Sequence, residues 1–174
     1  MRSAPWPTSP EQLYVEYGET VWGFLRHMGI GASAIDDAVQ EVFLVVHRKF
    51  SGFRFESTPK TWVLGIALRV AKDFRRKAAR YQRLFDPTHD PESTTWSRAM
   101  APDETLAARQ QWQALCACLD ELEQGQRRVF VLVDLQGCAV KEAAEILRVR
   151  PSTASSRLQV ARRIVNAWVE RMER

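Results

Sequence analysis

The sequence predicts an all-α protein: two small helical domains joined by a flexible linker, the C-terminal one containing a helix-turn-helix. Three observations predict this. Apolar residues recur at three- and four-residue spacing through both halves of the 174-residue chain. Between the halves, residues 84–102 (LFDPTHDPESTTWSRAMAP) carry three prolines, many Ser and Thr, and no helical period. The charge falls in blocks: net −4 over residues 1–46, +9 over 47–83, −6 over 84–125 and +5 over 126–174. A plain solvated surface mixes its signs more evenly. Two basic blocks, each after an acidic one, point to two nucleic-acid contacts with other surfaces between them. The predicted divisions are a domain over 1–83, a linker over 84–102 and a domain over 103–174.

The first helix starts at Ser9-Pro10-Glu11-Gln12, with Ser as N-cap, Pro at the first position and Gln placed to close a capping box. Leu13, Tyr17, Val21, Leu25 and Met28 form its buried stripe, Trp22 and Phe24 its margins, and Gly29 and Gly31 stop it. Ser33 is read as the cap of the second helix, with Asp36 and Asp37 in its first turn. Ile35, Val39, Val42, Val46 and Phe50 recur at helical spacing there, while Asp37, Gln40, Glu41 and Leu44 fall on another face. That strip is either a docking surface for something positive or a solvated face, and Gln40 and Glu41 lie beyond the reach of a capping role.

A short loop follows, with Phe53 and Phe55 flanking Arg54. Rings beside cations suit single-stranded bases, which stack on aromatics while cations hold the backbone. The alternative is that both rings fill the core. Ser57-Thr58-Pro59 opens the third helix, whose stripe is Trp62, Ile66, Val70 and Phe74. Arg69, Lys72, Arg76, Arg80 and Arg83 step along a different face, and Lys72, Arg75, Arg76 and Lys77 crowd together, as phosphate-following cations do.

Beyond the linker, Asp103 is placed to cap a helix with Leu106, Trp112, Leu115, Leu119 and Leu122 inward and Gly125 at its end. The run VFVLV alone could be a strand, but its flanks are helical and no partner strand is visible, so 127–135 is read as helix. Val140, Ala144 and Leu147 then pack a short helix, a four-residue turn follows, and Ala154, Leu158, Ala161 and Val165 pack a second, opened by Pro151 and Ser152. That is a helix-turn-helix. Ser152 and Thr153 in its first turn suit a phosphate. Ser155, Ser156, Arg157, Gln159 and Arg162 are placed to reach base edges or backbone, Arg157 being the candidate for a bidentate guanine contact unless it pairs with a carboxylate instead.

DDAVQEVFLVVHRKF followed by F-R-x-E-S-x-x-x-T-W resembles the central region of a bacterial RNA polymerase sigma factor of the small extracytoplasmic-function subgroup. LDELEQGQRRVFVLVDLQGCAVKEAAEIL, a turn and S-T-x-x-S-R-L resemble the same family's four-helix domain that reads the upstream promoter element. The ordered pair carries more weight than either block. The resemblance implies a dissociable initiation subunit whose partners are core RNA polymerase, promoter DNA and an anti-sigma factor. It implies that Asp37, Gln40, Glu41 and Leu44 dock on the polymerase clamp. Phe53, Arg54, Phe55, Trp62, Arg69, Lys72, Arg75, Arg76 and Lys77 would melt and hold the downstream element. The chain departs from the family pattern at Arg148 and Ser152, where Gly is usual, and at Ser155, where Lys is frequent. Arg69 stands where Asn is common, and Gly65 and Leu68 replace frequent basic positions. These departures bear on promoter sequence and strand opening, not on class.

Hydrophobic content of 45% with 26% charged residues is that of a globular protein. No apolar run approaches the roughly 20 residues of a membrane span, and MRSAPWPTSP lacks the apolar core of a signal peptide. Cys116, Cys118 and Cys138 have no framework spacing. A cytoplasmic protein without membrane insertion is expected. His27, His47 and His89 are scattered, and neither a phosphate loop nor an activated nucleophile is present, so no enzyme, cofactor or metal is expected. Two rivals remain: a helix-turn-helix dimer acting without polymerase, and a sigma-like decoy that binds a regulator.

Overall fold

The structure is a computed structural model that describes residues 7–54, 56–85 and 106–172. Among them every regular element is helical. In order these are α1 (Pro10–His27), α2 (Ala32–Lys49), a 3-10 turn (Phe50–Gly52), α3 (Pro59–Phe85), α4 (Leu106–Asp120), α5 (Gln124–Phe130), α6 (Val140–Leu147) and α7 (Pro151–Met172). The VFVLV run is helical, with a difference: α5 passes into a π-helical turn over Val131–Leu135. The wide turn lets the Cys138 N–H reach back to the Leu132 carbonyl at 2.9 Å.

Helix starts follow side-chain chemistry. Ser9 accepts the Gln12 N–H, but Gln12 Oε1 reaches back to the N–H of Thr8 at 2.7 Å rather than to Ser9. The Thr58 hydroxyl caps α3 by accepting the Thr61 N–H at 3.1 Å. Gln126 Oε1 accepts the Glu123 N–H at the start of α5. Three sequence expectations are corrected. Gly31, not Ser33, is the N-cap of α2, which leaves Asp36 and Asp37 beyond the first turn. Gly125 does not end α4, which stops at Asp120, but lies in the first turn of α5. Phe24 is fully buried rather than marginal, because α1 packs against both α2 and α3.

The helix-turn-helix turn has three residues, 148–150, not four. Arg148 closes α6 in the left-handed region, at φ 54° and ψ 46°. A Cβ there sits too close to the carbonyl, at a cost of roughly 1–2 kcal/mol. The usual family glycine has a physical reason that this chain forgoes. Arg148→Gly is therefore expected to stabilise the protein by about 0.5–1 kcal/mol in urea unfolding, the gain being reduced by glycine's greater unfolded-state entropy. Arg148→Ala should give no such gain.

The cores of the two halves are continuous. Leu13, Val21, Phe24, Val42, Val46, Val63 and Leu64 in the first belong to the same buried cluster as Leu119, Val129, Val131, Leu132, Ala144 and Leu158 in the second. α6 lies against α3. At the end of α1 the Arg26 guanidinium sits between two indoles, 5.1 Å from Trp22 and 4.0 Å from Trp112 of α4. His27 packs on Trp112 with ring centroids 5.5 Å apart. Its Nδ1 is buried with no hydrogen-bond partner among the described residues.

Burial, reinforced by Arg26 and Arg127, holds the His27 imidazole down at about 4. Because the folded value lies below the unfolded one, acid favours the unfolded chain. The stability of the neutral imidazole is complete above pH 6.5 and is lost as pH falls toward 4. Between pH 7 and pH 5 the protein is expected to lose about 2 kcal/mol through this group. Urea unfolding of His27→Leu should show most of that slope removed.

Candidate polymerase and nucleic-acid interfaces

Packing α1 against α2 leaves an open groove of about 940 Å³ between their outer faces. Tyr14, Val15, Gly18 and Trp22 form one wall, Val39, Gln40, Phe43, Leu44 and His47 the other. Val15 is 85% exposed, Tyr14 56% and Leu44 51%, which is unusual for apolar side chains on a well-packed helix pair. Tyr14 meets Phe43 edge-on at 4.8 Å and shapes the floor. Of the predicted docking residues, Gln40 and Leu44 line this groove. Asp37 and Glu41 line a second cleft, between α2 and α3, together with Gln40, Arg48, Arg69 and Lys77. The predicted strip is therefore the ridge between two grooves. Glu41 is held by Arg48 at 3.2 Å, whereas Asp37 is exposed. Sequence reasoning missed Tyr14 and Val15, whose signal was two apolar side chains lying off the stripe of α1.

On α3 the predicted cations divide by their surroundings. Arg69, Lys72, Arg76 and Lys77 are exposed, and Arg75 is partly covered. Arg76 pairs with Asp73 one turn back at 2.8 Å. Phe53 stacks on Trp62, with centroids 4.5 Å apart and planes 24° from parallel. Both rings are half-buried, so the pair is partly packed and partly accessible. Arg54 is exposed beside it. Phe55 lies outside the described residues.

In the C-terminal half, Pro151 starts α7 and leaves Ser152 exposed and Thr153 half-buried in its first turn. Ser156 turns its hydroxyl back to the Ser152 carbonyl at 3.0 Å. Ser155 is half-covered and Gln159 exposed. The Arg157 guanidinium lies over the first turn of α5, so close that a Cβ on Gly125 would approach it to 3.1 Å. Arg162 forms a two-pronged ion pair with Asp134, Nε at 2.9 Å and Nη2 at 2.6 Å. Asp134 raises the Arg162 guanidinium above its ordinary value, and this side chain ties α7 to the π-helical turn. Cys116, Cys118 and Cys138 are buried thiols, and burial pushes Cys118 and Cys138 up, away from thiolate chemistry.

Two family profiles match the chain: Sigma-70 region 2 over residues 13–81 and Sigma-70 region 4 over residues 112–165. The two matches thus define a two-region sigma factor. Among curated relatives, the ECF RNA polymerase sigma factor SigX of Bacillus subtilis is 31% identical over 137 residues, 78% of this chain and 71% of that protein. The ECF sigma factor SigM of Mycobacterium tuberculosis is 30% identical over 152 residues, 87% of this chain and 72% of that one. The fold matches the sigma factor RpoE of Bartonella quintana, solved with the anti-sigma factor NepR, at a TM-score of 0.74 and 21% identity over 92% of this chain and 96% of that one. It also matches CnrH, solved with the cytosolic domain of CnrY, at a TM-score of 0.69 and 22% identity over 92% and 87% of the two chains.

The chain belongs to the ECF RNA polymerase sigma factors. It binds core RNA polymerase and directs promoter recognition and transcription initiation. Its relatives are initiation factors without catalysis of their own. No helix among the described residues is long and apolar enough to cross a membrane.

Proposed function

We propose that this sigma factor docks on the polymerase clamp through the ridge of Asp37, Gln40, Glu41 and Leu44 and the apolar groove beside it. The observation that carries the reading is the groove itself: exposed Tyr14, Val15 and Leu44 with a carboxylate and amide edge. Apolar anchors supply affinity and charges at the rim supply steering. The Phe53–Trp62 pair, Arg54 and Phe55 take unstacked bases of the downstream element. Arg69, Lys72, Arg75, Arg76 and Lys77 follow its phosphates.

In the C-terminal half, Ser152 and Thr153 receive a phosphate at the N-terminus of α7. Ser155, Ser156, Arg157 and Gln159 face the upstream element, with Arg162 at the edge. Arg157 reads a base only by lifting off Gly125. The domain division at 1–83, 84–102 and 103–174 belongs to the same reading, with α3 continuing two residues further, to Phe85. By likeness to RpoE of Bartonella quintana, an anti-sigma factor is the third partner, and the site of action is the cytoplasm. Run-off transcription with core polymerase tests the whole: the protein should confer transcripts from a defined promoter set. A helix-turn-helix regulator acting alone would bind duplex DNA without polymerase and yield none, and a decoy would neither bind promoter DNA nor initiate.

A further inference from the structure

We infer that the free protein rests in a closed, self-masked state in which Glu142 of α6 latches the helix-turn-helix half onto the strand-holding face of α3. The inference rests on the proposed role of α3. One oxygen of Glu142 accepts the Ala139 N–H at 2.8 Å and so starts its own helix. The other accepts from the hydroxyls of Thr61 at 3.0 Å and Thr58 at 3.2 Å, at the N-terminus of α3. Thr61 is 4% exposed, and its hydroxyl is also within 2.8 Å of that of Thr58. Next to them the Lys60 ammonium donates to the Gln136 carbonyl. A helix N-terminus attracts anions, and here the anion comes from the chain's own second half.

The consequence is steric and electrostatic. The cleft between α3 and α6 is lined by Lys49, Trp62 and Arg69 from one side and by Glu145, Ile146 and Arg148 from the other. Trp62 and Arg69 are residues assigned to the opened strand, and Glu145, Ile146 and Arg148 of α6 face them across the cleft. A strand that enters this cleft has to displace α6. Against the latch stand cations from both halves: Lys72 is depressed by burial and by Arg128 and Arg148, and Arg128 by burial and by Arg75 and Arg157. Closure thus depends on a few polar contacts set against like-charge repulsion, the arrangement of a state that a partner can open.

The experiment uses the full-length chain with donor and acceptor dyes at exposed positions of α1 and α7, and compares wild type with Thr61→Val and Glu142→Gln. Thr61→Val keeps shape and leaves the α6 cap untouched, so it guards against misfolding. Energy transfer should fall in both variants, and both should bind a single-stranded oligonucleotide of the downstream element more tightly. If the open form is about 10% populated in wild type, apparent affinity tightens by up to about tenfold. Variants that stay as compact as wild type, or a wild type already as extended as they are, overturn the latch. Opening with no gain in strand binding overturns the masking. The reading of α3 is judged separately, by promoter opening with core polymerase. If Trp62→Ala and Arg69→Ala leave that unchanged, the role of α3 falls while the closure measured by energy transfer stands.

Discussion

Leu44→Arg combined with Asp37→Lys and Glu41→Lys is expected to abolish binding to core RNA polymerase while leaving the circular dichroism spectrum unchanged. Leu44 is exposed at the lip of the α1–α2 groove, and neither it nor Asp37 belongs to the buried core. Truncating or charging an apolar anchor at the centre of an interface costs about 2–4 kcal/mol, roughly 30- to 1,000-fold in affinity. The two charge reversals add rim repulsion that should weaken as salt rises. Separating the effects is informative. Leu44→Arg alone should lengthen the lifetime of nothing but the free protein, raising the off-rate at any salt, whereas the Asp37 and Glu41 changes should act chiefly on the on-rate at low salt. Undiminished co-purification of the triple variant with core enzyme would remove the groove from the docking surface.

The elements were legible because their causes are local. Ser9-Pro10 and Thr58-Pro59 pair a capping hydroxyl with a proline suited to the first helical position, and the stripes of α1, α2 and α3 need only a 3.6-residue period to be seen. The π-helical turn at Val131–Leu135 was not, since VFVLV has no period that separates α from π. The cap of α2 was not legible either, since the backbone of Gly31 starts that helix with no side-chain hydrogen bond, while Ser33 carries the usual capping side chain.

Which residues matter at the site was partly legible, and the limit was sequence distance. The Asp37–Leu44 ridge could be found because it lies on one helix, but the groove beside it needs Tyr14 and Val15 from another. The Phe53–Trp62 stack spans a turn and was visible only as two separate rings. The Arg162–Asp134 ion pair joins residues 28 apart, and Arg157 meets Gly125 of another helix, so neither contact shows in a local pattern. Nothing near Glu142 in sequence shows that it reaches Thr58 and Thr61, 84 and 81 residues back.

Arg127→Ala is expected to destabilise the protein by about 3–5 kcal/mol, the cost of breaking a buried ion pair by removing one partner. Arg127 is 1% exposed, the largest fully buried side chain among the described residues, with Nη1 2.9 Å from the Asp120 carboxylate. Burial pushes its guanidinium down to about 10 in spite of that carboxylate, so desolvation outweighs the pair. The balance predicts that the charge itself is dispensable and the volume is not. Arg127→Met with Asp120→Ala, which removes both charges and keeps the packing, should therefore recover most of the loss. Arg127 also depresses His27 from across the junction between the halves. Its replacement by Met should accordingly raise the imidazole a little, with burial and Arg26 still holding it down, and slightly reduce the stability slope between pH 7 and pH 5. Urea unfolding at both pH values checks the two claims together. An Arg127→Met, Asp120→Ala variant as unstable as Arg127→Ala would show that the guanidinium's hydrogen bonds, not its volume, hold α5 in place.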